Sequence, residues 1–260
     1  MDTTIMQKAI NTIAKRSNDE ELRVCPHCGT KYAWFNKQTD SINIHVQVPA
    51  CDCQERIEKE KEAAKIAEAK KEKLAKIFEN SMMTPLFQEK VFSSLKETEH
   101  FALCKKYAAE FNPKTAEGIL MIGNVGTGKT TLLAAICNEL MNKGFNCLFT
   151  TLSALLDKFS KYSYDNAGDI TPLLQWLVSF DFVVLDDIGR ETYNDKRKEV
   201  AFRIIDSLLN YKTTTALTAN PEMIKKLQAL PEWKATLDRL KDTCGIHLQF
   251  TGKSMRGAKW

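Results

Sequence analysis

Gly123-Asn124-Val125-Gly126-Thr127-Gly128-Lys129-Thr130 sets three glycines at fixed spacing ahead of a lysine and a hydroxyl. This is the G-x-x-x-x-G-K-[ST] pattern of a cradle for nucleoside-triphosphate phosphates. The glycines allow backbone conformations that side chains would forbid, so successive N–H groups, through Thr131, can converge on phosphate oxygens at the positive end of a helix. Lys129 would reach the β- and γ-phosphates of ATP, and the β-phosphate where ADP is bound. The Thr130 hydroxyl is placed to be a ligand of Mg2+, which bridges phosphates while keeping several of its waters.

Two further groupings could do chemistry. Phe182-Val183-Val184-Leu185 is an apolar run that ends in the carboxylates Asp186 and Asp187, as in a buried parallel strand whose carboxyl end faces a ligand crevice. Near the start of the chain, Cys25-Pro-His-Cys28-Gly is followed, after 22 intervening residues, by Cys51-Asp-Cys53. A Cys-x-x-Cys before glycine is a knuckle that turns two thiolates toward one metal, and a second pair closes a tetrahedral Zn2+ site. The Cys-x-Cys half departs from the commoner spacing, which leaves His27 or His45 as substitute ligands and a reduced structural thiol cluster as the alternative to zinc. The other four of the eight cysteines, Cys104, Cys137, Cys147 and Cys244, sit among apolar neighbours and are expected to be buried thiols.

The elements that must position these residues follow from periodicity. Gly118 to Ile122 is an apolar strand leading into the glycine loop, and Thr131 to Leu140 leaves it as a helix with Leu132, Leu133, Ile136 and Leu140 on one side. Strands are expected at Phe145 to Thr150, Thr214 to Ala219 and Ile246 to Phe250. Helices are expected at Glu97 to Phe111, Leu152 to Tyr162, Ile170 to Phe180 and Glu199 to Tyr211. Such alternation predicts an α/β domain with a mostly parallel sheet flanked by helices. Ahead of it, Gln54 to Asn80 is a run of Glu, Lys and Ala with opposite charges three or four apart, which predicts an exposed spacer helix. The expected organisation is a small Cys-rich module over 1–53, with short strands at Thr30 to Ala33 and Ile42 to Val48, a charged helical linker over 54–80, and a nucleotide-binding domain over 81–260. The module has too little core to fold on apolar burial alone, so a metal would supply much of its stability.

A chain of 260 residues with net charge +4 is compatible with one such domain and a small appendage. Its apolar runs fall short of the ~20 residues a membrane helix needs, and the N-terminal stretch around Ile5 and Ile10 is broken by Lys8, Lys15 and Arg16, unlike a signal peptide. The expected setting is the cytoplasm, without membrane attachment and without disulfides. The mild charge does not announce nucleic acid; Lys196-Arg197-Lys198 and Lys225-Lys226 are the local candidates for phosphate contact.

Leu185-Asp186-Asp187 resembles a Walker B motif. By that resemblance Asp186 would hold the Mg2+ shell and Asp187 would polarise the attacking water. The succession of strands, with a polar residue closing the one after this motif, resembles the AAA+ ATPases. There Asn220 would be sensor 1, and Arg239, in Leu237-Asp238-Arg239-Leu240, would be the arginine that reaches a neighbouring subunit's γ-phosphate. Arg256, in Ser254-Met255-Arg256, matches a terminal arginine in a sensor 2 role. Together with the cysteine module and charged helix, these motifs resemble the DnaC/DnaI-type helicase loaders, particularly phage-encoded ones, over most of the chain from Cys25 onward. The resemblance implies a weak ATPase used as a switch, self-association through the AAA+ domain, single-stranded DNA binding, and contact with a DnaB-type replicative hexameric helicase through the N-terminal part. A transposon-associated target-selection ATPase of the IstB type, and an adaptor that binds ATP without hydrolysing it, remain open as alternatives.

Overall fold

The computed structural model describes residues 21–29, 31–39, 42–47, 52–97, 100–166, 168–189, 195–229 and 231–254. Cys51 and Arg256 lie outside these residues, and His45 is described through its backbone only. The chain divides into two compact units, Met1–Lys70 and Lys71–Trp260.

The first unit carries a three-stranded antiparallel sheet of β1 (Glu21–Val24), β2 (Lys31–Thr39) and β3 (Ile42–Gln47), in that order. β2 pairs with both neighbours, Glu21 opposite Trp34 and Trp34 opposite Gln47. β2 outruns the expected Thr30 to Ala33, and β1 was not expected. Its four residues are too few to register a period of two in sequence. Between β1 and β2 the Gly29 N–H donates to the Cys25 carbonyl at 2.9 Å, with Gly29 at φ +72°, a conformation that suits glycine at the end of the knuckle.

Helix α1 (Cys53–Asn80) follows, and its 28 residues include the division between the two units. Its surface is polar almost throughout; the Lys59–Glu55 pair, 2.7 Å apart with side chains 75% and 69% exposed, contributes little in water. Only the last turns meet a core, where Ile77 is buried and Phe78 packs beside it.

In the second unit α2 (Pro85–Gln88), a 3-10 turn (Phe92–Ser94) and α3 (Phe101–Glu110) precede β4 (Ile119–Gly123). Then come α4 (Lys129–Asn142), β5 (Cys147–Thr151), α5 (Leu152–Asp165), α6 (Thr171–Val178), β6 (Phe182–Ile188), α7 (Asp195–Asn210), β7 (Thr214–Ala219), α8 (Pro221–Gln228), α9 (Pro231–Thr243) and β8 (Ile246–Phe250). The sheet order is β5-β6-β7-β4-β8, and every neighbouring pair is parallel. Strands buried on both faces read as continuous apolar runs, which is why Phe182 to Leu185 lacks alternation. The pleat sorts them nevertheless. Ile119, Met121, Phe182 and Val184 join the core beneath α4, while Leu120, Val183 and Leu185 join the one under α5 to α9.

Helix boundaries shift where polar surface hides them. α3 begins at Phe101, after a left-handed His100 (φ +65°), rather than at Glu97; α7 begins at Asp195, four residues before the expected Glu199, because Asp-Lys-Arg-Lys carries no apolar period. The exposed edge of β5 is covered: the Phe149 N–H donates to the carbonyl of buried Ser81 at 2.8 Å, which draws the chain after α1 along the sheet edge. Asn138 on α4 ties the next segment down through donations to the Phe87 and Lys90 carbonyls at 2.8 and 2.7 Å. Among the described residues no helix is long and apolar enough to cross a membrane.

Candidate functional site

β4, β6 and β7 deliver their carboxyl ends side by side, with β7 between the other two. In open parallel sheets ligands bind at such an edge. From Gly123 the chain turns through Gly126 (φ +82°) and Gly128 (φ +94°) into α4, whose N-cap is Gly128. The first amides of α4 lack partners within the helix and carry its positive end, a ready site for phosphate. Val125 to Thr131 and Asp187 line a cavity of about 240 Å3 there. Gly123 and Asn124 lie behind it: their carbonyls each accept a hydrogen bond from Lys129 Nζ at 2.7 Å, so the ammonium is buried and held against its own loop. A Cβ at Gly126 would lie 2.1 Å from Ser254 Oγ, so that hydroxyl would have to move aside. The segment after β8 therefore runs against the glycine loop. Ser254 is two residues before Arg256, which is outside the described residues.

Asp186, 8% exposed, accepts the Thr130 hydroxyl at 3.0 and 3.1 Å from its two oxygens, joining the acid strand to the start of α4. Burial pushes its carboxyl above the ordinary range; the hydroxyls of Thr218 and Thr130 and the charge of Lys129 oppose this, and Asp187 adds to it. Thr130 Oγ and the Asp186 carboxylate are hard oxygen donors at the mouth of the cradle, a set that could hold Mg2+. Asp187 has φ +55°, which aspartate tolerates better than most residues. Its backbone N–H donates to Thr218 Oγ1 at 2.7 Å, and Thr218 donates to Asp186 Oδ1 at 2.6 Å.

Other residues singled out in the sequence fall elsewhere. Asn220 does not line the cavity; it is the N-cap of α8, its Oδ1 accepting the Glu222 N–H at 3.0 Å. Arg239 projects from α9 onto α7, pairing with Asp206 and reaching Asn210 at 3.5 Å, with its side chain 51% exposed. It is not among the residues that line the cavity. Arg197, a candidate for phosphate contact, is engaged with Asp157 at 2.7 Å, and Lys225 and Lys226 lie in the last turn of α8, where the helix dipole favours cations.

A second constellation lies in the first unit. The sulfurs of Cys25, Cys28 and Cys53 all lie within 4.8 Å of one another and could hold a metal ion. Cys25 and Cys28 flank the knuckle closed by Gly29, and Cys53 opens α1. By contrast Cys104, Cys137, Cys147 and Cys244 are buried in the second unit, and burial pushes the Cys104 and Cys244 thiols up to about 12.

Sequence reasoning missed Thr218. The available signal was its face alone: a hydroxyl two residues before Asn220 shares that residue's face of the strand, while the neighbouring of that strand and the acid strand shows only in the fold. Ser254 carried no comparable signal, because its contact depends on β8 lying beside β4.

A family model described as IstB-like ATP binding protein matches residues 61–259. The replicative helicase loader DnaC of Escherichia coli (strain K12) is 31% identical over 190 residues, 71% of this chain and 76% of that protein. The crystal structure of the DnaC helicase loader matches with a TM-score of 0.55 at 20% identity, over 65% of this chain and 100% of that one. The crystal structure of DnaI gives 0.53 at 21% identity, over 67% and 95%. These likenesses in fold agree with an AAA+ P-loop architecture.

Proposed function

The chain belongs to the IstB-like ATP-binding protein family, and from that premise we propose that it is an ATP-switched loader of a DnaB-type hexameric helicase onto single-stranded DNA in replication. The observation that carries the loader role is the 31% identity with the helicase loader DnaC across 76% of its length. The geometry of the cradle supports the ATP switch.

In this reading the amides from Gly126 to Thr131 and the Lys129 ammonium bind the phosphates, with Gly123, Asn124 and Val125 shaping the loop. Lys129 exchanges its carbonyl partners for phosphate oxygens. Thr130 and Asp186 hold Mg2+, which neutralises charge on the β- and γ-phosphates when bound. Asp187 orients and polarises water from the cavity wall. Asn220 and Arg256 sense the γ-phosphate, Asn220 by leaving its capping role on α8. Arg239 serves a neighbouring subunit in the self-associated form, and its half-exposed pairing with Asp206 is one that a neighbour's phosphate can displace. The Cys25, Cys28 and Cys53 sulfurs, with Cys51 or a histidine (His27 or His45) as fourth ligand, hold Zn2+ in an N-terminal module over 1–53 that contacts the helicase. The linker is 54–80, the ATPase domain 81–260, and the setting the cytoplasm.

A pull-down of a replicative hexameric helicase by the full chain tests this, in ATP, in ADP, and with Lys129→Ala. The expected result is ATP-dependent capture, abolished by Lys129→Ala. Capture of a transposase in place of a helicase would replace the loader reading by target selection in transposition.

A further inference from the structure

The acid pair on β6 depends on a side chain that belongs to neither nucleotide motif. In an uninterrupted strand, consecutive residues face opposite sides of the sheet, so a regular β6 would send Asp186 and Asp187 to opposite faces. Here Asp186 reaches Thr130 at the start of α4, and Asp187 lines the phosphate-sized cavity beside it. One extra residue in β6 makes this possible: Leu185 pairs with Leu217 and Ile188 with Ala219, and Asp187 takes φ +55° between them. A bulge removes a backbone N–H from the ladder, and a partly buried amide needs a new acceptor.

Thr218 supplies it. The strand β7 lies between β6 and β4, and the Thr218 side chain is fully buried. Its Oγ1 accepts the Asp187 N–H at 2.7 Å while donating its proton to Asp186 Oδ1 at 2.6 Å. A hydroxyl has one proton and two lone pairs, so it can do both at once; valine, of nearly the same shape, can do neither. Oδ1 accepts from Thr218 as well as Thr130, whereas Oδ2 accepts from Thr130 and keeps the greater remaining acceptor capacity.

We propose that Thr218 is a positioning residue for ATP hydrolysis, its hydroxyl fixing the bulge at Asp187 and the orientation of Asp186 so that both acids face the phosphates. It does not line the cavity itself. The inference rests on the ATPase reading of the site, not on the identity of the partner.

The test compares Thr218→Val and Thr218→Ser with the parent chain. It reads single-turnover ATP hydrolysis, the Mg2+ concentration for half-maximal rate, binding of a fluorescent ATP analogue in EDTA, and hydrogen exchange at the Asp187 amide. For Thr218→Val the expected loss in kcat is roughly 100-fold, the scale of an ~1 Å misplacement of a reacting group. Analogue binding in EDTA should stay within about threefold, because the loss is specific to the reacting geometry. The Mg2+ requirement should rise, and the Asp187 amide should exchange faster. Thr218→Ser should restore every readout to near the parent. If Thr218→Val fails to fold, Thr218→Ala against Thr218→Ser gives the same ordering. Rates and Mg2+ requirement equal to the parent's in a folded valine variant would overturn the proposal alone, as would a serine variant as impaired as valine. A parent chain without Mg2+-dependent hydrolysis would overturn the ATPase reading and this proposal with it.

Discussion

The two units use cysteine in opposite ways. In Met1–Lys70, outside the strands, the buried side chains among the described residues are Cys25 and Cys53, two of the three clustered sulfurs. In Lys71–Trp260, Cys104, Cys137, Cys147 and Cys244 are four small apolar fillers within two large cores. A thiol pushed up to about 12, as at Cys104 and Cys244, is protonated at neutral pH and is neither a ligand nor a nucleophile. Among the described side chains the first unit buries sulfur; the second has a core in which sulfur is incidental. Stability should therefore respond to metal in one unit and to methylene groups in the other.

The largest effect should come from removing the proposed zinc. Structural zinc in small peptides is worth roughly 10–16 kcal/mol of apparent binding energy at neutral pH, which becomes folding energy where little else holds the chain. A chelator, or Cys25→Ser, should erase the NMR signals of β1 to β3 while leaving the melting of the ATPase unit in place. The freed cysteines of the module should then react with a thiol reagent, and the four core thiols should remain silent. A purified chain without zinc by elemental analysis, or a module spectrum indifferent to chelation, would break the contrast.

The converse perturbation is smaller. Leu133 on α4 is fully buried in the core beneath the sheet, and Leu133→Ala should cost about 2–5 kcal/mol through lost burial and a residual cavity. Urea denaturation should show this loss in the ATPase transition, with the zinc content of the module unchanged. A loss of metal in parallel would mean that the two units fold as one.

Legibility in the sequence follows the same division. The glycine loop, the acid strand and the parallel sheet announced themselves because buried strands and phosphate loops constrain residue type at every position. Where exposed polar residues open a helix, as in Asp195 to Lys198, or a strand is as short as β1, no period survives to be read. Thr218 was hidden for another reason. Its role comes from β7 lying between β6 and β4, an order across the sheet that local pattern does not encode. Arg239 and Arg197 show the limit for charges: their partners Asp206 and Asp157 are 33 and 40 residues away along the chain.

The smallest effect should run against the usual direction and falls within the nucleotide site. Asp186 is a buried carboxylate whose pKa burial raises, so in the ligand-free chain its charge works against the fold that the surrounding core supports. The sign follows from linkage. A raised folded pKa means that the protonated acid favours the folded state; that contribution is fully present below the unfolded value of about 3.9 and is lost as pH rises through the folded value. Asp186→Asn keeps the shape and removes the charge. In EDTA at neutral pH it should raise the melting temperature of the ATPase unit by about 2–4 °C, corresponding to ~1 kcal/mol in a domain of this size. The gain should fade as the pH approaches 4, where the parent's acid is protonated as well. Mg2+ added to the ATP-bound chain should then stabilise the parent more than the variant, because the carboxylate that burdens the free fold is the one proposed to hold the ion. A variant less stable than the parent in EDTA at neutral pH would instead assign the Thr130 and Thr218 hydroxyl bonds the larger share, making Asp186 part of the core's own support.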